Sequence, residues 1–336
     1  MNYENLRLEK GMYRVTGKSF TQVLEELDPS INYKGTHLEG LDAFQRQLKR
    51  FDIKVSGGES DMVEKFFSTA DSAALFPEYI SRAVRQGLEE NDALSRIIAT
   101  KTKINGLDYR TIETTTADLD LAEVDEGNVI ETTTISTQEN LINLTKRGRM
   151  LEASYEAIRF QKLDLITVTL KQIGAHIATT LLGDAINVLK SGDGNNNAIT
   201  TYNTSAAGSV TYSDLLSLWS ALSPYQLNCI LASPEMMHKL LSIEEFRDSA
   251  AGLSFHATGR LITPFGAELI NCNKLNKDEL IGLDRRYALE MVQSGDVLVE
   301  SDKLIDRQIE RTAITLIAGF SKIFTDASAV LSKANA

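Results

Sequence analysis

Cysteine, histidine, clustered positive charge and long apolar runs are all scarce in this chain, and each scarcity closes off a class of function. Only two cysteines occur in 336 residues, Cys229 and Cys272, too few for a disulfide framework and without a C-x-x-C spacing. Both sit in apolar runs, "YQLNCILAS" and "GAELINCN", and read as small buried hydrophobes in strands. The four histidines, His37, His176, His238 and His256, form no H-x-x-x-H or H-E-x-x-H pair, so no metal centre is expected. The longest apolar stretches, such as Leu181–Leu182 or Ile314–Ala318, are far too short to span a bilayer. No basic start followed by an apolar run marks a secretory signal. A protein kept in a cytosol, without a membrane partner, is the expectation.

Positive charge is outnumbered: 35 basic residues face 46 acidic ones, for a net charge of −11. The densest basic cluster is only Lys146, Arg147 and Arg149. A protein whose main task is gripping phosphates needs clustered Lys and Arg, so that task is disfavoured. Acidity instead suits a chain that stays soluble at high concentration. Catalytic texture is missing as well. Asp193-x-Asn195-x-Asn197 begins like a calcium loop but puts Ala198 and Thr204 where glycine and glutamate are required. Gly192 and Gly194 neither follow a strand nor open a helix, and there is no G-x-S-x-G elbow. The acidic run Asp118, Asp120, Glu123, Asp125 and Glu126 offers carboxylates, but on a solvated tip, whereas acid–base work needs rigid, partly desolvated groups. No catalytic residue and no cofactor are expected.

What is present is a sequence of textures. Residues 1 to about 70 read as an extended arm with short helices. Ser19-x-x-Gln22 is a candidate capping box, and Asp28-Pro29 a stop. Leu38, Leu41, Phe44, Leu48 and Phe51 form an apolar stripe at helical spacing that must lie on another surface. Pro77 fits the first turn of a helix in "LFPEYISRAVRQGLEENDALSRIIA". From Lys101 to Arg149 the chain turns rich in Thr, Ile and Val, in two alternating runs around the acidic tip. With too little apolar material for a core of its own, this predicts a projecting two-stranded hairpin that needs something to lie on. Leu163, Ile166, Leu170, Ile173, Ile177, Leu181, Ala185 and Val188 then step by three or four, predicting a helix over about 160–190 that ends at "SGDGNNN". Beyond 205 the pattern is mixed: a helix over 214–222 with Trp219, a strand at "LNCILAS", a Ser233-Pro234-Glu235 helix start, and short strands at "GAELINCN", "ELIGLD", "YALEMVQS" and "VLVESD".

The order of these parts resembles the Hong Kong 97-type fold of tailed-phage major capsid proteins, an α+β fold. "TADSAALFPEYISRAVRQGLEENDALSRII" resembles that family's entry helix. "LAEVDEGNVIETTTISTQENLINLTKRGRMLEASYEAIR" resembles the descending half of its extended loop running into the spine helix, and "LNCILASPEMMHKLLS" an axial-domain strand and helix. The resemblance covers about 70–330 and implies an N-terminal arm over 1–99, an extended loop over 100–149, a peripheral domain over 150–204, and an axial domain over 205–336 with strands returning to the peripheral domain at about 287–312. It implies a structural subunit that self-assembles into hexamers and pentamers forming an icosahedral head around double-stranded DNA, without sequence-specific binding. Portal is an implied partner, with a separate scaffolding protein or none, and the virion, assembled in a bacterial cytoplasm, is the implied location. Intersubunit contacts are expected at Asp118, Asp120, Glu123, Asp125, Glu126, Arg147, Arg149, Leu41, Phe44, Leu48 and Phe51. The span between Thr114 and Thr134 contains no lysine, so the loop-lysine crosslink of some relatives is not expected. An encapsulin-like nanocompartment shell shares the fold and is the alternative; a soluble α/β enzyme with an unrecognised site is a second, of a different class.

Overall fold

The computed structural model describes residues 3–15, 18–114, 123–124, 126–127, 135–205, 209–247, 261–304 and 306–333. The mixed α+β chain divides into two compact units, neither continuous in sequence. The first comprises Met1–Asn91, Arg147–Ile177 and Val297–Leu316; the second comprises Asp92–Lys146, Ala178–Asp296 and Ile317–Ala336.

Local capping signals build the first unit. The Ser19 hydroxyl accepts from the Gln22 amide while the Gln22 side chain accepts from the Ser19 amide, which starts α1 (Phe20–Leu27). Asp42 and Gln45 repeat the device for α2 (Ala43–Arg50), and Thr69 and Ser72 for α3 (Ala70–Ala73). Pro77 stands in the first turn of α4 (Phe76–Glu90), as its sequence position predicts.

The N-terminal segment, expected as an open arm, is a packed part of this unit. Arg46 is fully buried, and a buried guanidinium has to have its donors matched. It donates to the Asp28 carboxylate at 2.9 Å, to the Asp28 and Leu41 carbonyls and to the Ser30 hydroxyl, and lies 4.3 Å from the Tyr33 ring centroid. Satisfying one side chain in this way closes the chain between 28 and 46 on itself. Phe44 and Leu48 are buried with Leu24 and Leu38 inside the unit, so the stripe expected to seek another surface finds it in the same chain. The helix covers only Ala43–Arg50; Leu41 and Phe51 flank it and are half-buried.

After α5 (Tyr155–Arg159) comes the long helix α6 (Leu163–Ser191), matching the expected span and about 43 Å long at 1.5 Å per residue. Contrary to the reading from short apolar stretches, it is long and apolar enough by composition to cross a bilayer, but Leu170, Ile173, Ile177, Leu181, Ala185 and Leu189 are buried in the protein. Its first part crosses α4 at two glycines. A Cβ on Gly87 would fall 2.1 Å from the Lys171 carbonyl oxygen, and one on Gly174 2.1 Å from that of Val84. Only glycine allows the two backbones this approach.

The strands follow a less local logic. They are β1 (Thr100–Ile104), β2 (Ile112–Thr114), β3 (Ile135–Thr137), β4 (Thr145–Ser154), β5 (Thr200–Asn203), β6 (Cys229–Ala232), β7 (Glu268–Asn271), β8 (Glu279–Leu283), β9 (Leu289–Leu304), β10 (Ile309–Lys322) and β11 (Ser328–Ser332). The second unit contains a five-stranded sheet, order β5-β11-β8-β6-β7, in which β11 and β6 each run antiparallel to β8. Helices α7 (Tyr212–Ala221) and α8 (Pro234–Ser242), the latter followed by α9 (Glu244–Arg247), supply Leu215, Leu218, Met236 and Leu240 to a core with Ile230, Leu269, Leu280 and Leu331. Cys229 and Cys272 are buried as expected, and burial pushes the Cys229 thiol up to about 12.

A four-stranded sheet has the order β1-β9-β10-β4. "YALEMVQS" and "VLVESD", expected as separate strands, are one strand, β9, whose Gly295 takes φ +70 at the polar break. The long hairpin is likewise corrected. Each alternating run is split: β1 joins β9 in parallel, Thr100 opposite Glu290, and β4 joins the same sheet. Among the described residues the inner pieces β2 and β3 pair with each other, from Ile112 opposite Thr137 to Thr114 opposite Ile135.

The glycine crossing sets a test. Gly174→Ala is expected to destabilise the protein by about 1–3 kcal/mol through overpacking. Gly183→Ala on the same helix, where a Cβ would meet only the flexible Lys274 side chain at 3.5 Å, should be neutral or slightly stabilising. Thermal unfolding of the two variants checks this.

Candidate functional site

The region that sets this chain apart from a self-sufficient globule is the root of the loop between β2 and β3. Ile112 and Ile135 lie on one face of the ribbon, because Ile135 pairs with the second neighbour of Ile112, and they are 52% and 65% exposed. Two strands alone cannot cover such a face. Of the residues expected to make intersubunit contacts, Glu123 and Glu126 are exposed, and Asp118, Asp120 and Asp125 lie outside the described residues. Arg147 is half-buried and Arg149 exposed on β4, which closes its sheet as an edge strand.

Two polar anchors hold the root. On the outgoing side stands Glu290 of β9, 4% exposed. Its Oε1 accepts from the hydroxyls of Thr102 and Tyr109, the latter at 2.8 Å; its Oε2 accepts from Thr111 at 2.9 Å and Ser321 at 3.2 Å. Burial, with the hydrogen bond to Glu290, raises the Tyr109 phenol above its usual value, keeping it a donor. The other buried carboxylates are held differently. Asp28, Glu78, Glu268 and Asp284 each face an arginine, and Asp214 takes two backbone amides. Among the described residues Glu290 has hydroxyl partners only.

On the returning side stands the turn after α6. Asn195 donates to the Gln138 side chain at 2.7 Å and accepts from the Asn140 amide at 2.9 Å, while the Asn140 side chain donates to the Gly194 carbonyl at 2.8 Å. The failed calcium motif is therefore a helix-ending turn with a second task, bracing the loop. Asp193 accepts from the Lys322 amide at 2.9 Å, tying the turn to β10. Backbone bonds from Gln138 to Thr111 and from Ile142 to Tyr109, both 2.9 Å, join the two sides.

Sequence reasoning singled out the loop but missed its anchors. Glu290 was visible as an acid inside "YALEMVQS", a run whose neighbours Leu289, Met291 and Val292 are all buried. A charge there, with apolar residues on both sides, is the signal that could have found it. Among the described residues no group of His, Cys, Asp or Glu is arranged to hold a metal ion.

A family model of phage capsid proteins matches residues 137–328, more than half of the chain. No curated protein matches it in sequence. Among solved structures, a virus-like particle from Pyrococcus furiosus is similar at 16% identity and a TM-score of 0.52, over 76% of this chain and 98% of that one. The capsid of a native GTA particle is similar at 15% and 0.54, over 73% and 90%. Gordonia phage Cozz is similar at 13% and 0.54, over 73% and 87%. At such identities these likenesses concern the fold.

Lys322, 1% exposed at the end of β10, supplies a pH test of the returning anchor. Burial lowers its ammonium from 10.5 to about 8, against the opposing pull of Asp193 and Asp326. Between those values the unfolded chain binds more protons than the folded one, so stability rises with pH across that window. Below it the penalty is constant and on the order of 3 kcal/mol. Lys322→Met is expected to be more stable than the parent at pH 7, with the advantage shrinking towards pH 10, as read by urea unfolding at both values.

Proposed function

The chain belongs to the phage capsid protein family and has the Hong Kong 97-type fold, and from that premise we propose that it is the major shell subunit of a tailed-phage head, assembling with its own copies into hexamers and pentamers around double-stranded DNA. The observation that carries the reading is the β2–β3 ribbon, fixed firmly at its root while its apolar face stays uncovered. A neighbouring copy supplies the missing surface. Leu165 and Val168, one helical step apart near the start of α6, are exposed apolar side chains of the right character to receive Ile112 and Ile135 from another subunit. The exposed acids Glu123 and Glu126 then have a complement in Arg149 on the neighbour's edge strand.

Head-to-tail contacts of this kind use two different surfaces of one chain and close into rings when the rotation permits, which is how hexamers and pentamers arise. The net charge of −11 agrees with a wall that encloses DNA without gripping it. A portal and a separate scaffolding protein complete the expected set of partners, and the product is a virion assembled in a bacterial cytoplasm. The arm residues Phe44 and Leu48 have no part in these contacts, since their own unit buries them; Leu41 and Phe51 retain exposed surface for a neighbour.

Excising 115–134 and bridging the gap with a short glycine–serine turn leaves both anchors intact. The variant is expected to be soluble and folded but unable to form closed particles. Negative-stain microscopy and size-exclusion chromatography check this: the parent should elute as particles in the void volume and the variant as small species. Normal shells from the variant would refute the reading.

A further inference from the structure

We propose that Glu290 is the positioning residue of the shell contact: a buried latch that sets the direction in which the loop leaves the subunit, although it touches no neighbour itself. The proposal rests on the shell reading above. Its basis is the composition of the latch. A buried carboxylate needs compensating donors, and among the described residues every donor to Glu290 is a hydroxyl. Two of the four, Thr102 and Ser321, belong to β1 and β10, which flank β9 in the sheet; the other two, Tyr109 and Thr111, belong to the segment leading into β2. One carboxylate thus joins three strands of the sheet to the outgoing limb of the loop. Each oxygen takes one donor from the sheet and one from the limb, which fixes the limb in two directions.

The returning limb is held at Asn140, Gly194 and Asn195, with Arg110 donating to the Gln138 and Glu139 carbonyls, and Glu290 makes none of these bonds. Losing the carboxylate at 290 therefore loosens the outgoing limb directly, and the returning limb only through its bonds to that limb, from Gln138 to Thr111 and from Ile142 to Tyr109. The consequence is a change in the angle of the ribbon, which is the quantity that decides where on a neighbour it lands. In a closed shell a small angular error is repeated at every contact. It would appear as altered curvature, not as lost subunit stability.

Glu290→Gln keeps the shape but replaces one acceptor oxygen with a donor NH2, so the two hydroxyls facing it must switch from donating to accepting and are left without an acceptor for their own protons. Tyr109→Phe removes a single donor from the limb. Hydrogen exchange of the unassembled subunit should show amides in 109–114 and 135–138 exchanging about tenfold faster or more in Glu290→Gln, and less so in Tyr109→Phe. Amides of β6 and α8 should stay unchanged. Particles of both variants should depart from the parent's diameter or remain as open sheets. Unchanged exchange at the root overturns the proposal, and so does faster exchange with particles of normal diameter and yield. If Glu290→Gln does not fold, Tyr109→Phe decides by the same two readouts. A parent protein that forms no particles overturns the shell reading and with it the positioning role, while root exchange still decides whether the latch exists.

Discussion

The β2–β3 ribbon starts where a buried carboxylate and an asparagine-rich turn stand on either side of it, and its direction depends on the hydrogen bonds made there. A two-stranded ribbon has one ladder and no second layer, so it cannot choose its own direction. Glu290 and Asn195 choose it. They do so from inside the second unit, on the long strand β9 and just past the end of the long helix α6.

The same economy recurs elsewhere. Arg46 closes the N-terminal segment by donating to Asp28, Ser30 and Leu41, and Asp284 accepts from Gln226, Asn228 and Arg286 after β8. Burial disfavours the Asp284 anion, yet its donors hold the carboxyl down at about 2. Each of these buried groups organises a stretch of chain that hydrophobic packing leaves underdetermined. The apolar core, by contrast, is conventional: α7 and α8 on a five-stranded sheet, and α4 against α6 through two glycines.

Much of this was legible before any coordinates. The capping pairs at Ser19 and Ser233, the proline at 77, the long helix and the strand at Cys229 depend on neighbours within a few residues, and the chain states them outright. What could not be read was pairing between distant segments. The alternation of 100–104 looks the same whether that strand partners 112–137 or, as it does, β9 nearly two hundred residues later. The compactness of the N-terminal segment was hidden for a related reason, since Arg46 reads as a surface residue of an amphipathic helix until Asp28 and Tyr33 are brought around it. Glu290 was the recoverable miss, an acid in a run too apolar to face water.

The account stands or falls on where the ribbon lies in the assembled protein. A cryo-electron microscopy reconstruction of the purified particle answers this directly. The account predicts density for 115–134 lying across an adjacent copy, with Ile112 and Ile135 against that copy's α6. A ribbon folded back on its own subunit, or a protein that remains a monomer at high concentration, would contradict it.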